Sequence, residues 1–238
     1  MLNLLVVEDD IEQTKQIVNY ICQNNNYIKL YGITSSGNEA LELIEKEKVD
    51  IIILDLKLED SSGVEIIKKL EKEKSEKYKQ SIIITSGENT LVKEVCHSSY
   101  VFNYFMKPLN YTKVLESLNI IIDESKYKEK IRNIIEKELR RLNFNFTYDG
   151  TQYLIDCIYR IYLLEKSNRE VSANNIYQII ANHYKKTANT IYGDIKQAIN
   201  SMYYDCEEEI LKEYFKYNFI MKPKPQEVIY TIARKIKT

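Results

Sequence analysis

The sequence predicts a doubly wound α/β domain built on a five-stranded parallel sheet, followed by an all-α helix-turn-helix domain. Strand-length apolar runs alternate with amphipathic segments over about the first 120 residues, and the rest of the chain carries only helical periodicity. A length of 238 residues allows each half its own core.

The apolar runs are LNLLVV at 2–7, YIKLYGI at 27–33, DIIIL at 50–54, SIIIT at 81–85 and VFNYFM at 101–106. Their β-branched and aromatic residues mark them as strands, since such side chains pack well on a pleated surface. Between them Ile11, Ile17, Val18 and Ile21, then Ala40, Leu41, Leu43 and Ile44, recur near the helical period with charge on the other face. These segments read as helices covering the sheet. Parallel strands require crossover connections, and right-handed crossovers place helices on both sheet faces.

After Pro108 no glycine or proline occurs until Gly150, so a long helix is expected to leave the first domain through residues 110–142. From Gly150 onward the period breaks near Asn168, at Lys186–Thr187, near Asp205 and at Pro223–Pro225. The expected division is a first domain at 1–122, a helical linker at 123–145 and a helical domain at 146–238.

Composition narrows the class. No apolar run approaches the roughly 18 residues of a membrane-spanning helix, and the opening MLNLLVVEDD turns acidic without a basic leader or cleavage pattern. A cytoplasmic protein with no membrane partner is expected. Cys22, Cys96, Cys157 and Cys206 are scattered, with no histidine at metal-ligand spacing, and read as reduced thiols. From Lys126 onward 20 Lys and Arg face 14 Asp and Glu, whereas 14 face 21 before it. An acidic half joined to a basic half points to different partners, with a polyanion fitting the second.

In a doubly wound sheet, ligands sit beyond the carboxyl ends of the strands. Glu8 and Asp9 follow the first strand, Asp55 the third, Thr85 ends the fourth, and Lys107 follows the fifth, ahead of Pro108. Carboxylates converging there repel one another unless a hard divalent cation such as Mg²⁺ (or Mn²⁺) binds them. A cation, an ammonium and a hydroxyl around one carboxylate are what in-line phosphoryl transfer to that carboxylate requires, so Asp55 is the expected acceptor. Asp10 opens DIEQ and is better explained as a helix N-cap.

The motifs VVEDD, IIILDLKLEDSSG, IIITSGE and FMKP, in this order and spacing, resemble the receiver domains of two-component response regulators over residues 1 to about 122. The resemblance implies that Glu8, Asp9, Asp55 and the Lys57 carbonyl hold the metal, that Asp55 is phosphorylated, and that Thr85 and Lys107 contact the phosphoryl group. Tyr104 matches the family's aromatic switch position, and Gly63 its glycine. Glu59 stands where the family usually has proline.

The stretch SANNIYQIIANHYKKTANTIYGDIKQAINSMY is expected to form a helix at 173–185, a break at Lys186–Thr187 and a second helix to about 204. Ile191, Ile195, Ala198 and Ile199 form its apolar stripe. Thr187, Asn189, Thr190, Tyr192, Gly193, Lys196 and Gln197 are left for base edges, with Lys185, Lys186 and Lys196 for phosphate or guanine. A helical hairpin docked on a partner protein shows the same stripe, so periodicity leaves both occupants open.

The segments GTQYLIDCIYRIY, IYQIIANHYKKTANTIYGDIKQAI and KPKPQEVIYTIARKI are similar to the effector domain of stage zero sporulation protein A, over about residues 140–238. That regulator starts endospore formation. The match is one of scaffold, through Gly150, Tyr153, Leu154, Ile176, Ile180, Ala181, Thr187, Ile195, Ala198, Ile199 and Pro223. The reading surface differs: Thr190, Tyr192 and Gly193 replace arginines and a glutamate, and Lys196–Gln197 replaces an arginine–histidine pair.

The combination is expected to be a phosphorylation-regulated DNA-binding transcriptional regulator of a two-component or phosphorelay system. Its catalysis is expected to be limited to its own phosphorylation and dephosphorylation. Expected partners are a histidine kinase or phosphotransfer protein, double-stranded DNA, and a second copy once phosphorylated. The alternative is a phosphotransfer or partner-binding signalling protein whose helical domain contacts protein.

Overall fold

The computed structural model describes residues 1–73, 80–167, 173–215 and 222–237. The chain divides into two compact units, Met1–Ser125 and Lys126–Thr238.

Along the chain come β1 (Leu2–Val7), α1 (Ile11–Asn24), β2 (Ile28–Thr34), α2 (Gly37–Lys46), β3 (Ile51–Asp55), α3 (Gly63–Glu73), β4 (Ser81–Ser86), α4 (Asn89–Val95), β5 (Val101–Met106) and α5 (Tyr111–Arg141). The five strands lie in the order β2-β1-β3-β4-β5, and every pairing is parallel. Alternate residues of the inner strands face opposite layers. Leu4, Val6, Ile51, Ile53 and Ile83 pack with Ile17 and Ile21 of α1 and Val114 and Leu118 of α5. Leu5, Val7, Ile52, Leu54, Ile82 and Ile84 pack with Ala40 of α2, Ile66 and Ile67 of α3, and Val92 and Val95 of α4. Burial on both faces explains why these strands read as continuous apolar runs rather than alternating ones. Asp10 caps α1, its Oδ1 accepting from the amides of Glu12 (2.9 Å) and Gln13 (3.0 Å).

The second unit holds α6 (Asp149–Lys166), α7 (Ala173–Tyr184), α8 (Ala188–Asp205), α9 (Glu208–Tyr214) and α10 (Pro225–Lys235). Leu154, Ile158 and Ile161 of α6 are buried with Ile195, Ala198, Ile199 and Met202 of α8 and Val228, Ile229 and Ile232 of α10. Ile131, Ile135 and Leu139 of α5, with Leu142, join this core, although they fall in the stretch expected as a linker. Chain reversal after α5 uses Asn143 at φ 60°, with the Phe144 amide donating to the Leu139 carbonyl (3.0 Å) and the Asn143 amide to that of Arg140 (2.9 Å). This double hydrogen bond around a left-handed residue is a Schellman cap, and asparagine tolerates the conformation. The break expected near Asn168 lies outside the described residues.

Candidate functional site

The carboxyl ends of β1, β3, β4 and β5 open on one side of the sheet because all run parallel, and the acidic residues collect there. One carboxylate oxygen each from Glu8, Asp9 and Asp55 lies within 4.8 Å of the others. Glu8 and Asp55 are buried and Asp9 half-buried. Lys107, following β5, places Nζ 2.5 Å from Asp55 Oδ2 and 2.9 Å from Glu8 Oε1. Burial, opposed by the Lys107 hydrogen bond and aided by the Asp55 charge, pushes the Glu8 carboxyl up to about 7. Burial alone depresses an ammonium, but for Lys107 the hydrogen bonds and charges of Asp55 and Glu8 outweigh it and hold its pKa above the ordinary value.

Thr85 pairs in register with Asp55 across β3 and β4. Its Oγ1 is buried and has no hydrogen-bond partner among the described residues. Such an atom costs free energy unless something arrives to accept its hydrogen. The Lys57 amide donates to Asp55 Oδ1 at 3.0 Å, while the Lys57 ammonium reaches Glu88 at 3.0 Å. Gly63 lets the chain return past the acceptor, since a Cβ there would lie 2.4 Å from the Asp55 carbonyl oxygen. Tyr104, on β5, is 47 % exposed. The clustered donors are all oxygen, which suits a hard divalent cation, and the poorly compensated charge on Glu8 is what such a cation relieves.

In the second unit, α7 and α8 meet through another Schellman cap. Lys185 takes φ 53°, the Lys186 amide donates to the Ala181 carbonyl (2.9 Å) and the Lys185 amide to that of Asn182 (3.3 Å). Thr187 then caps α8, its side chain accepting from the Thr190 amide at 3.1 Å. Ile191, Ile195, Ala198 and Ile199 are buried, and Asn189, Thr190, Tyr192, Gly193, Lys196 and Gln197 are exposed. Tyr192 stacks edge-on against Tyr177, with centroids 5.6 Å apart. Lys186 is exposed and has partners within the unit: its Nζ lies 3.2 Å from Asp149, 3.9 Å from Asp194 and 5.1 Å from the Tyr153 ring centroid.

The family model of the response regulator receiver domain matches residues 4–119, and that of the sporulation initiation factor Spo0A C terminal matches residues 134–236. The chain is a response regulator receiver domain followed by a Spo0A C-terminal domain. The regulator is 27 % identical over 139 residues to the transcriptional regulatory protein MalR of Bacillus subtilis, covering 58 % of each chain. It is 26 % identical over 152 residues to the regulatory protein VanR of Enterococcus faecium, covering 61 % of this chain and 62 % of VanR. A protein-glutamate methylesterase/protein-glutamine glutaminase of Bacillus subtilis is 28 % identical over 134 residues, 34 % of its length. The regulator thus spans about three fifths or less of the curated relatives it matches. Among solved structures, the response regulatory domain of mrkE from Klebsiella pneumoniae covers 53 % of the regulator at 18 % identity, with a TM-score of 0.48.

Two polar groupings in the regulator have no sequence signal of their own. Asp156 of α6 receives both the guanidinium of Arg132 and, at 2.7 Å, the hydroxyl of Tyr184, the last residue of α7. Asp60, in the β3–α3 loop, bonds to the first residues of α2. Each depends on elements far apart in the chain, which periodicity does not bring together.

Proposed function

We propose that the regulator is a phosphorylation-gated, DNA-binding transcription factor whose acceptor is Asp55. The observation that carries the receiver half is the Lys107 ammonium clasped between Asp55 and Glu8, beside a third carboxylate. Asp55 Oδ attacks the phosphorus of a histidine kinase's or phosphotransfer protein's phosphohistidine, or of a small acyl phosphate. The bond to the donor's leaving atom breaks, and the donor keeps that electron pair. Glu8, Asp9, Asp55 and the Lys57 carbonyl would hold Mg²⁺ (or Mn²⁺), which neutralises charge on the transferring oxygens. Lys107 offsets charge on another edge, and the unpartnered Thr85 hydroxyl gains an acceptor in the new phosphoryl group.

The added charge, roughly −1.5 to −2, draws Thr85 and Lys107 inward and repositions Tyr104. That change favours pairing of two copies, which sets two α8 helices on successive half-sites and raises affinity through effective concentration. Asn189, Thr190, Tyr192, Gly193, Lys196 and Gln197 face the bases, with Lys185 and the exposed Lys186 on phosphate.

Labelling of the full chain by acetyl phosphate, followed by binding to genomic DNA fragments across a salt series, tests this reading. Labelled protein is expected to bind with a steep loss of affinity on added salt. Labelling without DNA binding in low salt would favour a partner-protein effector. A finer test uses Lys185, a non-glycine residue held left-handed. Lys185→Gly is expected to raise the unfolding free energy of the second unit by about 1 kcal/mol by removing the Cβ strain of a left-handed residue. The same change is expected to lower the logarithmic salt slope of DNA binding by about 0.9, the loss of one phosphate contact. A variant with unchanged slope would remove Lys185 from the interface.

A further inference from the structure

The loop after Asp55 is fastened to an element outside its own strand. Asp60 reaches to the start of α2: its Oδ1 accepts from the Gly37 amide (3.0 Å) and Ser61 Oγ (3.0 Å), and its Oδ2 from Ser36 Oγ (2.6 Å) and Asn38 Nδ2 (3.5 Å). Ser36 is also the N-cap of α2, accepting from the Glu39 amide at 3.2 Å. The carboxylate therefore meets an amide with no intrahelical partner, at the positive end of the helix dipole. Hydrogen bonds from Ser36 and Gly37 hold the Asp60 carboxyl down at about 2, below the ordinary carboxylate value. Gly37 permits the approach, since a Cβ there would stand 2.0 Å from Ser61 Oγ and 3.1 Å from Ile66 Cδ1.

Beyond this clamp the loop closes on itself. Lys57 and Ser62 form an antiparallel bridge, the Gly63 amide donates to the Leu56 carbonyl at 3.0 Å, and the Lys57 amide donates to Asp55 Oδ1 at 3.0 Å. Residue 59, where a proline would stiffen the loop by locking φ, is the exposed Glu59. The hydrogen bonds of Asp60 supply restraint that residue 59 does not.

We propose that Asp60 is a positioning residue for phosphoryl acceptance: by fastening the β3–α3 loop to the first turn of α2 it holds the Lys57 peptide beside Asp55 and so sets the metal affinity of the acidic site. This rests on the reading of Asp55 given above. The test is calorimetric titration of the unphosphorylated full chain with Mg²⁺, and with Mn²⁺, beside the Mg²⁺ dependence of acetyl-phosphate labelling. Asp60→Ala is expected to weaken Mg²⁺ binding about tenfold. The Mg²⁺ midpoint of labelling is expected to move by the same factor, with the rate at saturating Mg²⁺ unchanged.

Asp60→Asn, which keeps an acceptor for the Gly37 amide, is expected to recover most of that affinity. A merely structural role would lower the labelled fraction without moving the midpoint. Wild-type Mg²⁺ affinity in a folded Asp60→Ala chain would overturn the proposal and leave the Asp55 reading intact. Should Asp60→Ala fail to fold, Ser36→Gly removes the Ser36 bond of the clamp together with the Glu39 cap, whose loss glycine largely tolerates at an N-cap; a weakening smaller than that of Asp60→Ala is expected, and an unmoved midpoint there overturns the proposal equally. Wild-type protein that binds neither metal and takes no label would overturn both readings.

Discussion

Asp55→Asn is expected to leave the chain unlabelled by acetyl phosphate while melting no lower than the wild type. The labelling loss is complete, because an amide oxygen does not form an acyl phosphate under these conditions. Stability is retained because the charge of Asp55 is one cause of the raised Glu8 pKa, and neutralising it relieves that repulsion. The asparagine oxygen still accepts from the Lys57 amide, and the Lys107 ammonium keeps Glu8 Oε1 at 2.9 Å. Lys107→Met acts on the same ion pair with the opposite sign. It strands two buried carboxylates, for an expected loss of about 2 kcal/mol, below the fully buried figure because Lys107 keeps some contact with solvent. Thermal unfolding with and without Mg²⁺ checks both. Added Mg²⁺ is expected to restore much of the Lys107→Met loss, since a divalent cation replaces the missing positive charge. A destabilised Asp55→Asn chain would show that attraction to Lys107 outweighs repulsion from Glu8.

The parts of this arrangement legible in the sequence are those set by local period or by strand ends. The run at 50–54 became β3 at Ile51–Asp55, and its burial on both faces is what made it uniformly apolar. Glu8, Asp9, Asp55 and Lys107 are legible as one group because parallel strands deliver their carboxyl ends to one edge of the sheet. Asp10 could be set apart as a cap from the residue three positions later. Distances across loops were not legible. The Asp60 clamp joins residues separated by 24 positions in the chain, and the bond from Lys186 to Asp149 by 37. Nothing in the periodicity of YKKTANTIY shows that Lys186 lies beside Asp149 and Asp194. The end of α5 shows the same limit: an apolar stripe declares that a helix will be covered, not by which core, and Ile131, Ile135 and Leu139 belong to the second.

Gly150→Ala is expected to disable the second unit while leaving Asp55 labelling intact. Gly150 lies in the first turn of α6, where that helix crosses α8 backbone to backbone. A Cβ there would stand 2.0 Å from the Asp194 carbonyl oxygen, 2.4 Å from its carbon and 2.9 Å from the Ile195 nitrogen. These are main-chain atoms within a helix, so no side-chain rotation makes room and α8 itself must shift. Overpacking of this kind typically costs about 1–3 kcal/mol, and the upper end is expected against backbone. The displaced segment carries Tyr192, Gly193, Lys196 and Gln197, so DNA affinity is expected to fall even in the folded fraction. The same substitution one position before Asp194 has the opposite sign. At Gly193 a Cβ would meet nothing within 4 Å, and alanine is favoured over glycine in a helix by about 1 kcal/mol. Gly193→Ala is therefore expected to raise the melting temperature of the second unit. Weakened DNA binding by this more stable variant would show that the missing Cβ makes room for something outside the chain. Unchanged binding would mean that the DNA leaves this turn of α8 uncovered.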